Sequence, residues 1–357
     1  MKRLLKDVVK LGKSSLKLSD VKETGKYPVF GASGLVGHID SFQSESDSVA
    51  VIKDGAGIGR VSILPSNSSV LGTMQFMTPK DNIDNGFLFY FLRHLKLGSS
   101  FTGSTIPHIY FRDYGNYTFP NETKDRQIKE SGFLANIDSL ILERMNILSS
   151  LDSLVKSRFN EMFGDSIINE HKFKTLSLYN CCKMTGIKNF KKADKYWLLG
   201  LDKIESGTGN IISKDFFGIK NIGSSTFYFD ESYVLYSKLR PYLNKVALPD
   251  EEGFATTELV PLKPSPIINR VFLAYLLRSN SFVEWINETS SGAKMPRASM
   301  TSFRNFKLMI PPIDYQNEFA FFVKQIDKSK FFVQKQIKDL QELLDSKMDE
   351  YFGGAEE

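Results

Sequence analysis

Residues 102–117, TGSTIPHIYFRDYGNY, and residues 291–306, SGAKMPRASMTSFRNF, match at a constant offset of 189 residues, which pairs Gly103 with Gly292, Pro107 with Pro296 and Tyr117 with Phe306. The register holds further along the chain. Gln127 meets Gln316, Ile137-Asp138 meets Ile326-Asp327, and FNEMFG ending at Gly164 meets MDEYFG ending at Gly353. Self-similarity of this kind has to be settled before any other fold assignment, because it means one supersecondary plan used twice. The 357 residues are therefore read as two copies of one unit, a mixed domain followed by a long helix.

The helical part of each unit carries a seven-residue apolar seam. In the first copy, positions 137, 141, 144, 148, 151, 155, 158 and 162 read Ile137, Ile141, Arg144, Leu148, Leu151, Val155, Arg158 and Met162. In the second they read Ile326, Lys330, Val333, Ile337, Leu340, Leu344, Lys347 and Tyr351. Alternating steps of four and three over several heptads, with polar residues between, are the pattern of helices that pair along their length. The alternative is one amphipathic helix packed on each domain. The charges inside each seam are tolerable at the rim of an apolar two-helix contact, where long stems lie on the seam and the charged heads reach water. Pro120 and Pro311-Pro312 mark the starts of the helical segments, and Gly164 and Gly353-Gly354 their ends.

The boundaries that follow are 1–120 and 166–312 for the mixed domains, and 121–165 and 313–357 for the helices. Short β-like runs (VAVIK, RVSIL, YVLYS, KVALP) alternate with the aromatic helical patterns FLFYFLRHL and VFLAYLL, so the fold class is α+β. The helices of the two copies are alike and their polar loops are not. One scaffold carrying two surfaces suits a protein that reads two different things.

DGAGIGR, residues 54–60, looks at first like a phosphate-cradling glycine turn. A dinucleotide site would want a glycine where Arg60 stands and a helix after it, whereas the following VSILP reads as a strand. The repeat decides the matter. VAVIKDGAGIGRVSILP aligns with VLYSKLRPYLNKVALP, which puts Lys53 beside Lys238, Arg60 beside Lys245, and the glycines opposite Arg240, Pro241 and Tyr242. A cofactor cradle would not be glycines in one copy and RPYLN in the other, but a strand turn with a cation at each end persists in both. Lysine and arginine so placed can neutralise backbone phosphates, with solvated surface charge as the alternative for any one of them. Further candidates lie in the polar loops that follow the aromatic helices. They are Thr105, His108 and Arg112 in one copy, and Lys294, Arg297 and Ser299 in the other, all with donors suited to phosphate or base edges. Two basic loops of the second domain add Lys191, Lys192 and Lys220.

YPVFGASGLVGHIDSF at 27–42, VIKDGAGIGRV, VLYSKLRPYLNKVA with FATTELVPLKP after it, and the two trailing helices together resemble the specificity subunit of type I restriction-modification enzymes. The resemblance covers essentially the whole chain. It implies two target recognition domains, each reading one half of a split double-stranded DNA sequence, joined by two long helices that pack as an antiparallel coiled coil, act as a spacer and dock the partner subunits. The partners so implied are two modification subunits, which methylate adenine using S-adenosylmethionine, and restriction subunits, which translocate and cut using ATP and Mg. This chain itself would be non-catalytic and hold no cofactor. The recognition loops of the family vary too widely to carry base-reading residues across, so only the shared turns and loops above are offered as DNA contacts.

What the sequence lacks agrees with that. There is no GxxxxGK[ST] for ATP and no Asn-Pro-Pro-Tyr or Asp-Pro-Pro-Tyr to grip a target amine. Ser33 in GASGL resembles a nucleophile elbow, but the second glycine comes one residue early and no strand-to-helix transition follows. Cys181 and Cys182 are adjacent, so a disulfide between them is disfavoured and a reducing, cytoplasmic setting is expected. Four scattered histidines and two cysteines give no metal-ligand spacing, and no run approaches the roughly 20 apolar residues of a membrane span. A net charge of +5 permits an anionic partner without requiring one. Two rival readings stand beside DNA recognition. A nucleotide-dependent enzyme using the glycine turn is disfavoured by the repeat, and a coiled-coil adaptor without nucleic acid is disfavoured by the shared basic turns.

Overall fold

The computed structural model describes residues 3–99, 107–188, 190, 192–290, 292 and 295–354. The chain forms two compact units, Met1–Ile147 with Val333–Glu357, and Leu148–Phe332, so each long helix contributes one part to each unit.

In the first unit a four-stranded antiparallel sheet runs in the order Val9–Leu11, Met74–Pro79, Ser48–Ile52, Val61–Leu64. The central strand SVAVI is buried along its whole length because both faces are covered. Successive side chains alternate across a strand. Val49 and Val51 accordingly pack into a cluster with Phe87, Leu88 and Phe91 of the helix Asn85–His94, while Ala50 and Ile52 join Leu64, Val70, Met74 and Phe76 on the other face. That helix starts where Asp84 accepts the Phe87 amide at 2.8 Å, an N-cap that satisfies one of the first-turn donors. YPVFGASGLVGHI forms a hairpin, Tyr27–Gly31 with Gly34–Ile39, whose turn holds Ser33 between two strands, so there is no nucleophile elbow.

The second unit repeats the plan. Cys182–Lys183, Leu259–Pro264, Val234–Ser237 and Val246–Ala247 pair in the corresponding order, and the helix Arg270–Arg278 presents Phe272, Leu273, Leu276 and Leu277 to the core, capped by Asn269. Where the first unit has a three-stranded mixed sheet, the hairpin with Ser69–Val70, the second has a four-stranded mixed sheet, Asp215–Phe217, Tyr196–Leu199, Gly253–Thr256 and Thr226–Phe229, with a core of its own around Trp197, Phe229 and Tyr233.

The long helices are Lys124–Phe163 and Ile313–Phe352, 40 residues each and so about 60 Å long at ~1.5 Å per residue. Each ends at a glycine whose amide bonds back four residues, Gly164 to Asn160 O and Gly353 to Asp349 O, both at 2.8 Å. In the first unit, Leu134, Ile137 and Ile141 share a cluster with Leu344, Met348 and Phe352, with Ile337 and Leu340 packed against it. In the second, Val155, Phe159, Met162 and Phe163 share one with Phe319 and Val323, and Ile326 packs against it. The start of each helix thus lies against the end of the other, and the pair is antiparallel. Every position of the two seams is buried or half-buried, Leu148, Leu151 and Val333 among the half-buried ones. The seam charges find carboxylates: Arg158 bonds Glu161 at 3.0 Å and Glu318 at 2.9 Å, Lys330 bonds Asp152 at 2.5 Å, and Lys347 bonds Glu350 at 2.6 Å. Among the described residues no helix is long and apolar enough to cross a membrane.

Candidate nucleic-acid interface

In both units the strand turn is tied to the polar loop by the same pair of backbone hydrogen bonds. In the first unit the Gly55 amide donates to Pro107 O at 3.1 Å and the Ile109 amide to Lys53 O at 3.0 Å. In the second the Arg240 amide donates to Pro296 O at 2.7 Å and the Ala298 amide to Lys238 O at 2.8 Å. The loop equivalences hold the offset of 189 and the turn equivalences an offset of 185, so the second copy gains four residues between turn and loop. Expected contacts that are far apart in sequence are thereby brought together: Lys53 with His108, and Lys238 and Arg240 with Arg297.

The backbone explains the glycines. Gly55, Gly57 and Gly59 have φ of 85°, 85° and 78°, and in the second turn Arg240 and Asn244, equivalent to Gly55 and Gly59, both have φ of 49°. A left-handed conformation costs a residue with a Cβ roughly 1–2 kcal/mol. At Asn244 the side chain donates to Arg278 O at 2.9 Å, which helps hold the turn in place. Gly59 has a second requirement, since a Cβ there would lie 2.1 Å from the Gly98 amide nitrogen. The turn is geometry, built once with glycine and once without it.

Each bridge carries an acid–base pair whose bases, His108 and Arg297, are equivalent while their acids, Asp54 and Glu258, come from different places in the two copies. His108 Nδ1 lies 2.7 Å from Asp54 Oδ1, and Arg297 lies 3.2 Å from Glu258. The His108 ring stacks with Tyr110, and the Arg112 guanidinium sits 4.7 Å from the centre of the Tyr110 ring. Arg112 is 79 % exposed and pairs only loosely, at 3.5 Å, with Asp113. Partly exposed pairs like these contribute little to stability, about 0–1 kcal/mol, so a stronger anion can displace the carboxylate at small cost. Tyr242 and Arg240 are exposed at the tip of the second turn.

The remaining expected contacts fall elsewhere. Arg60 is exposed at the far end of the first turn, whereas its counterpart Lys245 is half-buried and donates to Leu201 O at 2.7 Å. Lys192 and Lys220 are exposed in loops of the second unit, away from the bridge in sequence. Thr105, Lys191 and Lys294 lie outside the described residues. Sequence reasoning does not single out Asp54, Tyr110 and Glu258. The only signal for them is their closeness to the turn and loop motifs, and pairing across 54 residues leaves no local pattern.

Among the described residues no group of three or more His, Cys, Asp or Glu could hold a metal ion. Cys181 and Cys182 are buried free thiols whose ionisation burial pushes up. Neither is placed to act as a nucleophile, which requires thiolate.

Comparison with known proteins gives a consistent outcome. The family model described as the type I restriction modification DNA specificity domain matches residues 1–152 and 208–342. The type I restriction enzyme EcoDI specificity subunit of Escherichia coli is 21 % identical over 373 residues, covering 94 % of this chain and 83 % of that protein. The crystal structure of a type I restriction-modification system S subunit from M. genitalium superposes with a TM-score of 0.60 at 16 % identity, over 100 % of this chain and 96 % of that one. A chain from a structural study of assembly and conformational transition in a type I R-M system superposes with a TM-score of 0.57 at 13 % identity, over 99 % and 97 %.

Proposed function

The chain belongs to the type I restriction modification DNA specificity family, and from that premise we propose that it is the sequence-reading subunit of such a complex, each unit reading one half of a divided double-stranded DNA target. The observation that carries the reading is the duplicated bridge between turn and loop. Identical backbone hydrogen bonds hold it in both units, yet the side chains it presents differ: Lys53, His108 and Arg112 in one, Lys238, Arg240, Tyr242 and Arg297 in the other. A fixed frame with variable polar tips is what two half-site readers require, since phosphate contacts set register and side chains at base edges specify sequence.

The paired helices serve as the spacer between half-sites and as the docking surface for two modification subunits, with restriction subunits joining the complex. The chain performs no chemical step. S-adenosylmethionine, ATP and Mg act in the partners, and this subunit contributes orientation on DNA. The adaptor reading finds no support among the relatives.

The test is the salt dependence of duplex binding by the full chain. Neutralising the phosphates facing Lys53, Arg112, Lys238, Arg240 and Arg297 releases counterions, so log K should fall against log salt with a slope of roughly −4.5. A slope near zero contradicts these contacts.

A further inference from the structure

The two copies treat one pair of cations differently. Arg60 and Arg93 of the first unit correspond to Lys245 and Arg278 of the second, all at the offset of 185. The backbone confirms the match, because the Ile52 amide donates to Arg60 O at 2.9 Å and the Ser237 amide to Lys245 O at 3.0 Å. The two helices likewise start at equivalent caps, Asp84 and Asn269.

In the second unit both cations are met by oxygens of the protein itself. Lys245 donates to Leu201 O at 2.7 Å, and Arg278 donates to Val246 O at 3.0 Å from Nε and 2.5 Å from Nη2. The segment after Leu201 closes over this place. The Gly207 amide donates to Leu243 O at 3.2 Å, and Gly209 approaches so tightly that a Cβ would stand 1.8 Å from Val246 O and 2.4 Å from the Arg278 Nη2.

In the first unit the same place is an open cavity of about 510 Å³, lined among the described residues by Ile58, Gly59, Arg60, Phe89, Arg93 and Lys96, with others. Arg93 keeps an internal partner, Asp138 at 2.6 Å, so that pair is neutral. Arg60 and Lys96 are exposed, and among the described residues neither side chain has a carboxylate or carbonyl acceptor. Two cations therefore stand over an apolar wall at a position whose counterpart is filled with oxygen acceptors.

We propose that this cavity of the first unit is a phosphate-binding site, with Arg60 and Lys96 supplying the charge and Ile58 and Phe89 the water-excluding wall. The shared chemistry is a phosphate group, taken from the DNA backbone or from a free nucleotide. The DNA source rests on the reading of the chain as a DNA-recognition subunit, and the free source does not. Among the described residues the counterpart in the second unit is occupied by Leu201 O and Val246 O, so the contact is made in the first half of the target alone.

The test compares the full-length chain with Arg60→Gln/Lys96→Gln, a variant whose exposed positions leave the core intact, with unfolding temperature as the check on folding. Three probes are used: the target duplex, inorganic phosphate and adenosine 5′-monophosphate. The backbone source predicts about a tenfold or greater loss of duplex affinity and a salt slope shallower by about one to two. It also predicts that a neutral methylphosphonate linkage scanned through the duplex weakens the wild type at one position of one half-site and leaves the variant unaffected there. The free source predicts binding of phosphate or the nucleotide by the wild type that the variant loses, with duplex affinity unchanged. If wild type and variant are alike towards all three probes, the proposal is overturned, and a wild type that still binds its duplex then leaves the DNA-recognition reading standing.

Discussion

Gln127 and Gln316 occupy the same place in the two copies, and replacing either by leucine should loosen its own unit by a similar amount. Both side chains are fully buried in the first turn or two of a long helix. Gln127 Oε1 accepts the Asp84 amide at 3.0 Å while Nε2 donates to Glu122 O at 2.9 Å. Gln316 Oε1 accepts the Asn269 amide at 2.8 Å while Nε2 donates to Ile267 O at 3.0 Å and Pro311 O at 2.8 Å. Each glutamine therefore fastens the cap of its domain's packing helix to the start of a long helix. Leucine fills similar volume but strands a buried amide and one or two carbonyls. At about 1–3 kcal/mol for each unsatisfied group, partly relieved by relaxation, the expected loss is about 2–4 kcal/mol per site. Because the two sets of partners share no residue, the double variant should lose about the sum. Amide exchange at equilibrium resolves the sites. Gln127→Leu should raise exchange in Asn85–His94 and leave Arg270–Arg278 as in the wild type, and Gln316→Leu should do the reverse. A loss below about 0.5 kcal/mol at either site, the range of an ordinary surface change, would refute the clamp.

Two further outcomes follow. Burial alone would push the Asp165 carboxyl up, but the Ser281 hydroxyl and the amides of Ile168 and Ile167 outweigh it and hold the group below its usual range. Its contribution is thus present above the unfolded value near 3.9 and lost as pH falls through the lower folded value. The difference in urea midpoint between wild type and Asp165→Asn should shrink on acidification below about pH 4, and a difference that grows there would contradict this. Inserting four residues after Ile141 and four after Leu340 lengthens both helices by about 6 Å, roughly two base pairs. The methylated sites of that variant should keep both half-sites while the unspecified gap between them grows, at some cost in stability from the shifted seam. An unchanged gap would defeat the spacer role.

The parts of this molecule legible in the sequence are those whose signal is periodic or repeated. The seams from Ile137 to Met162 and from Ile326 to Tyr351 emerge as continuous half-buried stripes because a helical period needs no knowledge of partners. The aromatic runs at Phe87 and Val271 are the packing helices for the same reason. The glycines of 54–60 are turn geometry, as the comparison of copies implies, but nothing local reveals that Arg240 and Asn244 adopt the same left-handed backbone without glycine. The match of Gln127 with Gln316 is visible in the sequence and its purpose is not, since a buried amide is understood only through carbonyls that folding brings to it. Lys245 shows the limit for surface charges. It aligns with Arg60, yet a segment more than 40 residues away along the chain supplies its acceptor, so equivalence in sequence does not carry equivalence in exposure.

Each domain is proposed to read its own half of one target. The measurement that tests it most directly is the methylated motif in cells whose specificity subunit has residues 1–120 replaced by the corresponding domain of another such subunit, with the partner subunits unchanged. One half of the motif should change to that of the donor while the other half stays as before. A hybrid that alters both halves, or one that methylates the original motif unchanged, would contradict it.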